Sequence, residues 1–245
     1  NYKITYVMNG GTVSTPNLTG YNVETNTFTL TNPTKTGYTF KGWSGTDIED
    51  KSLSVIIPKG SVGDRTYTAN FEKAEYTISC TLNGGEYESG KTNPTKYSIE
   101  SDPITLNNPS KVGYDFVGWS GTGIDGIVST VTIPTGSIGH RSYLANYTPI
   151  VYSITYDYDG GSLEEGKTNP STYTIESETF TLNNPTKDGY EFIGWTGSNG
   201  VTPSKTVRIE QGTIDGKNYV ANYEPINYDI HYNLNGGALE EGKTN

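Results

Sequence analysis

The chain has 245 residues, of which 20 are Tyr, 30 Gly, 12 Pro and one Cys. A formal net charge of −10 argues against a nucleic-acid or anionic-membrane partner, and a single Cys excludes a disulfide within the chain. Tyr favours half-buried pleated surfaces and Gly and Pro favour turns, so the expectation is a mainly β chain of short segments.

The first predicted element is a strand. Tyr2, Ile4, Tyr6 and Met8 alternate with Lys3, Thr5 and Val7, the period-two pattern of a half-buried strand. Gly10 and Gly11 follow as a tight turn, where glycines can take positive φ. A loop leads to two further short segments, seen as Tyr173 with Ile175 and Phe180 with Leu182 in a later copy. Next comes a Pro/Gly turn beginning Asn-Pro at Pro33, Pro109 and Pro185. The following strand puts Tyr190 and Phe192 on one face but leaves Trp195 out of phase; a bulge at Gly194 would bring the indole inside. An apolar segment (Val131, Ile133, Pro134), a Gly turn and a final strand through Tyr143, Ala145 and Tyr147 complete the pattern. No stretch holds helical periodicity for three turns. At most one short helix or 3-10 turn is expected per copy, placed at Gly136-Ser137-Ile138-Gly139 in the second.

These elements recur. Gly-Trp stands at 42–43, 118–119 and 194–195, a constant step of 76 residues, and Ala-Asn-aromatic follows at Ala69, Ala145 and Ala221 with the same step. The division predicted is repeat 1 at 1–73, repeat 2 at 74–149, repeat 3 at 150–225, and the start of a truncated fourth at 226–245. The chain therefore reads as an excerpt from a longer array. The expected core comprises Ile4, Ile78 and Ile154, Tyr38, Tyr114 and Tyr190, Phe40, Phe116 and Phe192, with Trp43, Trp119 and Trp195. Gly10, Gly11, Gly84, Gly85, Gly160 and Gly161 are the expected turn glycines. The junctions from Phe71 to Tyr76, Tyr147 to Tyr152 and Tyr223 to Tyr228 keep one length while their residues change. Constant length predicts fixed geometry, and tandem repeats in an elongated, semi-rigid rod.

Asn184-Pro185-Thr186-Lys187, Gly189-Tyr190, Phe192, Gly194-Trp195 and Ala221-Asn222-Tyr223, preceded by a strand into Asp159-Gly160-Gly161, resemble the Listeria–Bacteroides repeat. This is the B-repeat type of internalin-like surface proteins, and the resemblance covers essentially the whole chain. It implies small α+β, β-grasp-like domains in tandem between an adhesive or other head and the bacterial cell wall. It also implies a secreted, cell-wall-attached surface protein. The extra residues between Gly161 and Tyr173, and after Trp195, are where unit-specific binding would sit.

No constellation points to an enzyme, and no cofactor is expected. His140 aligns with Asp64 and Gly216, and His231 with Thr5, Ser79 and Thr155, so neither can serve a site shared by the repeats. Cys80 occupies a slot held by Tyr6, Tyr156 and Tyr232, and is expected to be a small buried hydrophobe. Asp157, Asp159, Glu164 and Glu165 are a weak calcium candidate, against which a solvated acidic hairpin is the plainer reading. Lys35, Lys111 and Lys187, with Glu24, Glu100 and Glu176, recur in every repeat and raise the question of a Lys–Asn cross-link. The repeated Trp and Tyr suggest a sugar-stacking platform less than a core; unrepeated Tyr87 is the better contact residue. The leading expectation is a structural stalk. The alternatives are binding of a host or matrix glycoprotein or glycan by avidity, and self-association into a fibre.

Overall fold

The computed structural model describes residues 1–243. In the first repeat the strands are β1 (Tyr2–Val7), β2 (Gly20–Tyr21), β3 (Phe28–Thr29), β4 (Tyr38–Gly45), β5 (Ile48–Ser52), β6 (Ile56–Ile57) and β7 (Arg65–Lys73). Five of them form one sheet in the order β2-β1-β7-β4-β5, while β3 and β6 pair separately. β1 and β7 run parallel, from Ile4 opposite Arg65 to Val7 opposite Thr68. The other neighbours in that sheet are antiparallel. Parallel neighbours need a crossover, and here the connection is the rest of the repeat, made of strands and turns.

Repeat 3 keeps the same sheet: Thr172–Tyr173, Tyr152–Asp157, Lys217–Pro225, Tyr190–Gly197 and Gly200–Ser204, in that spatial order. Repeat 2 has four strands, Tyr114–Gly121, Arg141–Pro149, Tyr76–Thr81 and Lys96–Tyr97. Its fifth is reduced to a single bridge between Trp119 and Val128.

Among the described residues there is no helix, so each repeat is all-β and the α part of the expected α+β, β-grasp-like fold is absent. Residues 136–139 lie in a turn instead. Ser137 N–H donates to the Pro134 carbonyl at 3.2 Å, and Gly136 and Gly139 take φ of 87° and 88°, outside the helical region. The expected strand at the start of a fourth repeat is also missing: Tyr228, Ile230, Tyr232 and Leu234 lie exposed in irregular chain. In the three complete repeats this strand pairs in parallel with the repeat's last strand. No equivalent of that last strand follows Pro225 in the sequence.

Each repeat carries its own core. In the first it is Ile4, Tyr21, Leu30, Trp43, Val55, Ile57, Tyr67 and Ala69, and the matching positions build the other two. The register slips between Phe40 and Gly42 and between Phe192 and Gly194. This is the bulge that the broken alternation requires, and all three tryptophans end with no exposed surface. Ile4, Ile78 and Ile154 are buried, while Phe40, Phe116 and Phe192 pack at the edge of the clusters.

Tyr38, Tyr114 and Tyr190 are a correction, since they stand outside these clusters. A bridge from Lys35 to Tyr38 closes the Pro/Gly turn just ahead of β4. It holds the ring at the turn, with Lys35 Nζ 3.9 Å from the ring centroid. The glycine pair divides its work differently from the expectation too. Positive φ falls on Asn9 and Gly10 (47° and 80°) and on their counterparts, not on both glycines. Gly11 instead lies under an aromatic ring, where a Cβ would stand 2.6 Å from Phe71 Cζ. Pro33, Pro109 and Pro185 are buried.

The described chain divides into two compact units. One comprises residues 1–112 with 116–147 and contains the cores of repeats 1 and 2. The other comprises 113–115 with the chain from Thr148 onward and contains the core of repeat 3.

Candidate functional site

The polar groups nearest each core serve the fold. The indole N–H of Trp43 donates to Asn32 Oδ1 at 3.0 Å, and Asn32 Nδ2 donates onward to the Leu53 carbonyl at 2.7 Å. Trp119 with Asn108 (2.8 Å) and Trp195 with Asn184 (3.1 Å) repeat the arrangement. A buried indole needs such an acceptor. These asparagines precede the turn prolines, and sequence reading took them for turn residues only. A second set, Asn70, Asn146 and Asn222, ties down the bulge. Asn70 Nδ2 reaches the Gly42 carbonyl at 3.0 Å and the Thr68 carbonyl at 3.0 Å, and the other two do the same. The Ala-Asn-aromatic signature is thus a stitch across the irregular ladder.

Burial first, and Tyr67 second, push the Tyr6 phenol up to about 12. Burial likewise raises Tyr156, with Tyr158 and Tyr219 adding to it. Both phenols are half-buried, packed against Trp43 and Trp195, which have no exposed surface.

The chemically reactive side chains are dispersed. His140 Nδ1 accepts from the Thr77 backbone N–H at 3.1 Å, the place where Asp64 accepts from Lys3 N–H at 2.8 Å in the first repeat. His231 is exposed. Cys80 is half-buried at the rim of the second core. Tyr87, expected as an outward contact, instead lines the same small hollow as Cys80. Its hydroxyl accepts from Asn93 Nδ2 at 2.8 Å, and burial, then Cys80, pushes its phenol up to about 12. The ring is taken up by packing in the repeat whose opening strand has Cys80 where the others have Tyr6 and Tyr156.

The acidic hairpin does not gather into a metal centre. Among the described residues no group of three or more His, Cys, Asp or Glu side chains could hold a metal ion. Asp157 Oδ1 accepts from Asp159 N–H at 2.9 Å, and Asp159 Oδ2 lies 3.3 Å from Lys187 Nζ. Glu164 and Glu165 are exposed.

Lys35 and Lys187 make their nearest contacts to an aromatic ring or a backbone carbonyl. Lys187 Nζ donates to the Asp159 carbonyl at 2.7 Å, and Lys35 sits over Tyr38 and Phe71. Glu24 meets Lys59, while Glu100 meets Lys73. The intact mass is therefore expected to equal the sequence mass; a deficit of one ammonia per repeat would show the cross-link to exist.

Two open hollows lie beside the hairpins. In the first repeat one of about 550 Å³ is lined by Asp47, Glu49, Asp50, Lys51 and Arg65. Its counterpart in the third, of about 400 Å³, is lined by Ser198, Ser204, Thr206 and Lys217, at the positions where the first has Thr46, Ser52, Ser54 and Arg65. The two share hydroxyl and cationic positions, and the first adds the acidic Asp47, Glu49 and Asp50. Among the described residues no helix is long and apolar enough to cross a membrane.

A family model for the Listeria-Bacteroides repeat domain matches residues 2–66, 76–133 and 152–214. Two curated proteins from Evansella cellulosilytica are similar. One, provisionally named a Gly-rich membrane protein, is 27% identical over 208 residues, covering 84% of this chain and 23% of its own length. The other, provisionally named a membrane protein, is 29% identical over 169 residues, covering 66% of this chain and 24% of its own. The chain spans about a quarter of the length of the curated relatives it matches.

Proposed function

Because the chain belongs to the Listeria-Bacteroides repeat domain family, we propose that its repeats are structural spacers of a bacterial cell-surface or membrane-associated protein, projecting a head domain from the cell wall. They do no catalysis. The family and the names of the two relatives support the location. The observation that carries the role is the parallel pairing of opening and closing strands, Tyr2–Val7 with Arg65–Lys73 and its two counterparts. In a parallel pair the chain enters at one end and leaves at the other. Tension along the chain then loads the whole ladder in shear instead of opening it one hydrogen bond at a time.

Pulling the chain between its two ends tests this directly. The expected record has three separate unfolding events, one per core, each releasing about 250 Å of extended chain at 3.3–3.6 Å per residue. A smooth low-force extension without discrete events overturns the tension-bearing role. Binding of a host or matrix glycoprotein or glycan at micromolar concentration makes the repeats binding modules instead.

A further inference from the structure

The recurring Glu100 and Glu176 have partners that lie outside their own repeat. In the first compact unit, Tyr38 of repeat 1 donates its hydroxyl to Glu100 Oε1 of repeat 2, and Lys73 Nζ approaches Glu100 Oε2 at 3.0 Å. Ile99, next to it, lies over Gly37, where a Cβ would stand 2.8 Å from Ile99 Cβ. The linker is pinned to the same turn, since Ala74 N–H donates to the Gly37 carbonyl at 2.9 Å.

The second compact unit contains the same set. Tyr114 donates to Glu176 at 2.8 Å, a Cβ on Gly113 would stand 3.0 Å from Ile175 Cβ, and Ile150 N–H donates to the Gly113 carbonyl at 3.0 Å. Two occurrences at one spacing, with different linker residues, make this a built feature. The outermost positions show what its halves look like unmated. Val23, where later repeats have Ile99 and Ile175, is 43% exposed, and Glu24 turns to Lys59 at 3.1 Å. At the other extreme nothing lies within 4 Å of a Cβ on Gly189, although Ile226 N–H still donates to its carbonyl.

We propose that the Gly-Tyr turn ahead of each repeat's long central strand is a socket for the Ile-Glu pair of the following repeat, fastening tandem copies together. The open socket at Gly189–Tyr190 accepts the β-branched–Glu pair of another repeat of the same kind. Glycine is required at the socket twice over, because its φ is positive (76° at Gly37) and because the isoleucine occupies the space a Cβ would fill. The phenol-to-carboxylate bond adds direction to the apolar contact. Tyr38, then Lys73, holds the Glu100 carboxyl below the usual carboxylate range, as a mated carboxylate should be. The fastening does not depend on the spacer reading, since repeats that bind a ligand could be joined in the same way.

Backbone NMR relaxation on the full chain tests it, comparing the rotational correlation times of repeats 1 and 2. In the native chain the two are expected to be equal. Gly37→Asn keeps a residue tolerant of positive φ but sets its Cβ against Ile99, and the two times are expected to separate. Gly189→Asn carries the same backbone demand with nothing above it and is expected to leave them equal. Should Gly37→Asn unfold repeat 1, Ile99→Ser with Glu100→Ala decides, because it removes the pair from the other side. Separate times in the native chain, or equal times in the folded variants, overturn the proposal. So does an equal effect of the two Asn substitutions.

Discussion

Replacing Trp195 with Ala is expected to unfold repeat 3 while repeats 1 and 2 stay folded. The side chain has no exposed surface. Its ring meets those of Tyr156, Tyr158, Phe192 and Tyr219 with centroids 5.6 to 6.4 Å apart. Truncating a buried Trp to Ala costs about 3–5 kcal/mol. Here Asn184 also loses the indole N–H bonded to its Oδ1. A domain of this size has roughly 4–11 kcal/mol in total, so the loss consumes much of what holds the repeat. Amide hydrogen exchange resolved by residue is the measurement. Protection should vanish across residues 150–225 and persist in the two other cores. Loss of protection throughout the chain would show that the cores do not fold independently.

Gly194→Ala is the second large effect, and it acts through the backbone. Gly194 has φ of 141°, and a Cβ there would run into the Ser204 backbone nitrogen and, at 2.7 Å, the Pro203 carbonyl carbon. Neither neighbour is the free end of a side chain, so the hairpin strand Gly200–Ser204 must move. The expected loss is about 2–4 kcal/mol, combining strain at a glycine-only backbone geometry with overpacking. Gly200→Ala separates the two causes. Its φ is 113°, but nothing lies within 4 Å of its Cβ, so only the strain remains, about 1–3 kcal/mol. Denaturant unfolding followed at repeat 3 should rank native, Gly200→Ala and Gly194→Ala in falling order. Equal losses would mean that the approach of Ser204 is unimportant.

The repeat step and the strand alternation were legible because both are spacings. So was the bulge, which the phase break between Phe192 and Trp195 demanded. Neighbours across space were harder. Alternation at Tyr2, Ile4 and Tyr6 says which face is buried, but nothing about which strand lies alongside or in which direction. The parallel β1–β7 pair therefore had no signal in the residue pattern. The alternation that placed Tyr190 with Phe192 took no account of the turn lysine, which draws the ring outward. Asn32 was read from its neighbour Pro33, although its side chain answers to an indole eleven positions away. Glu100 was visible as a recurrence, yet its partner Tyr38 is 62 positions distant and in another repeat. Period alone could not pair them.

The parallel β1–β7 arrangement bears on how such a gene can change. A polypeptide leaves each repeat travelling in the direction in which it arrived, because the opening and closing strands point the same way. Both strands of the pair belong to one copy, so duplicating or deleting a whole copy creates no new strand pairing to be selected. Unequal recombination between copies therefore changes the number of cores and leaves each one intact.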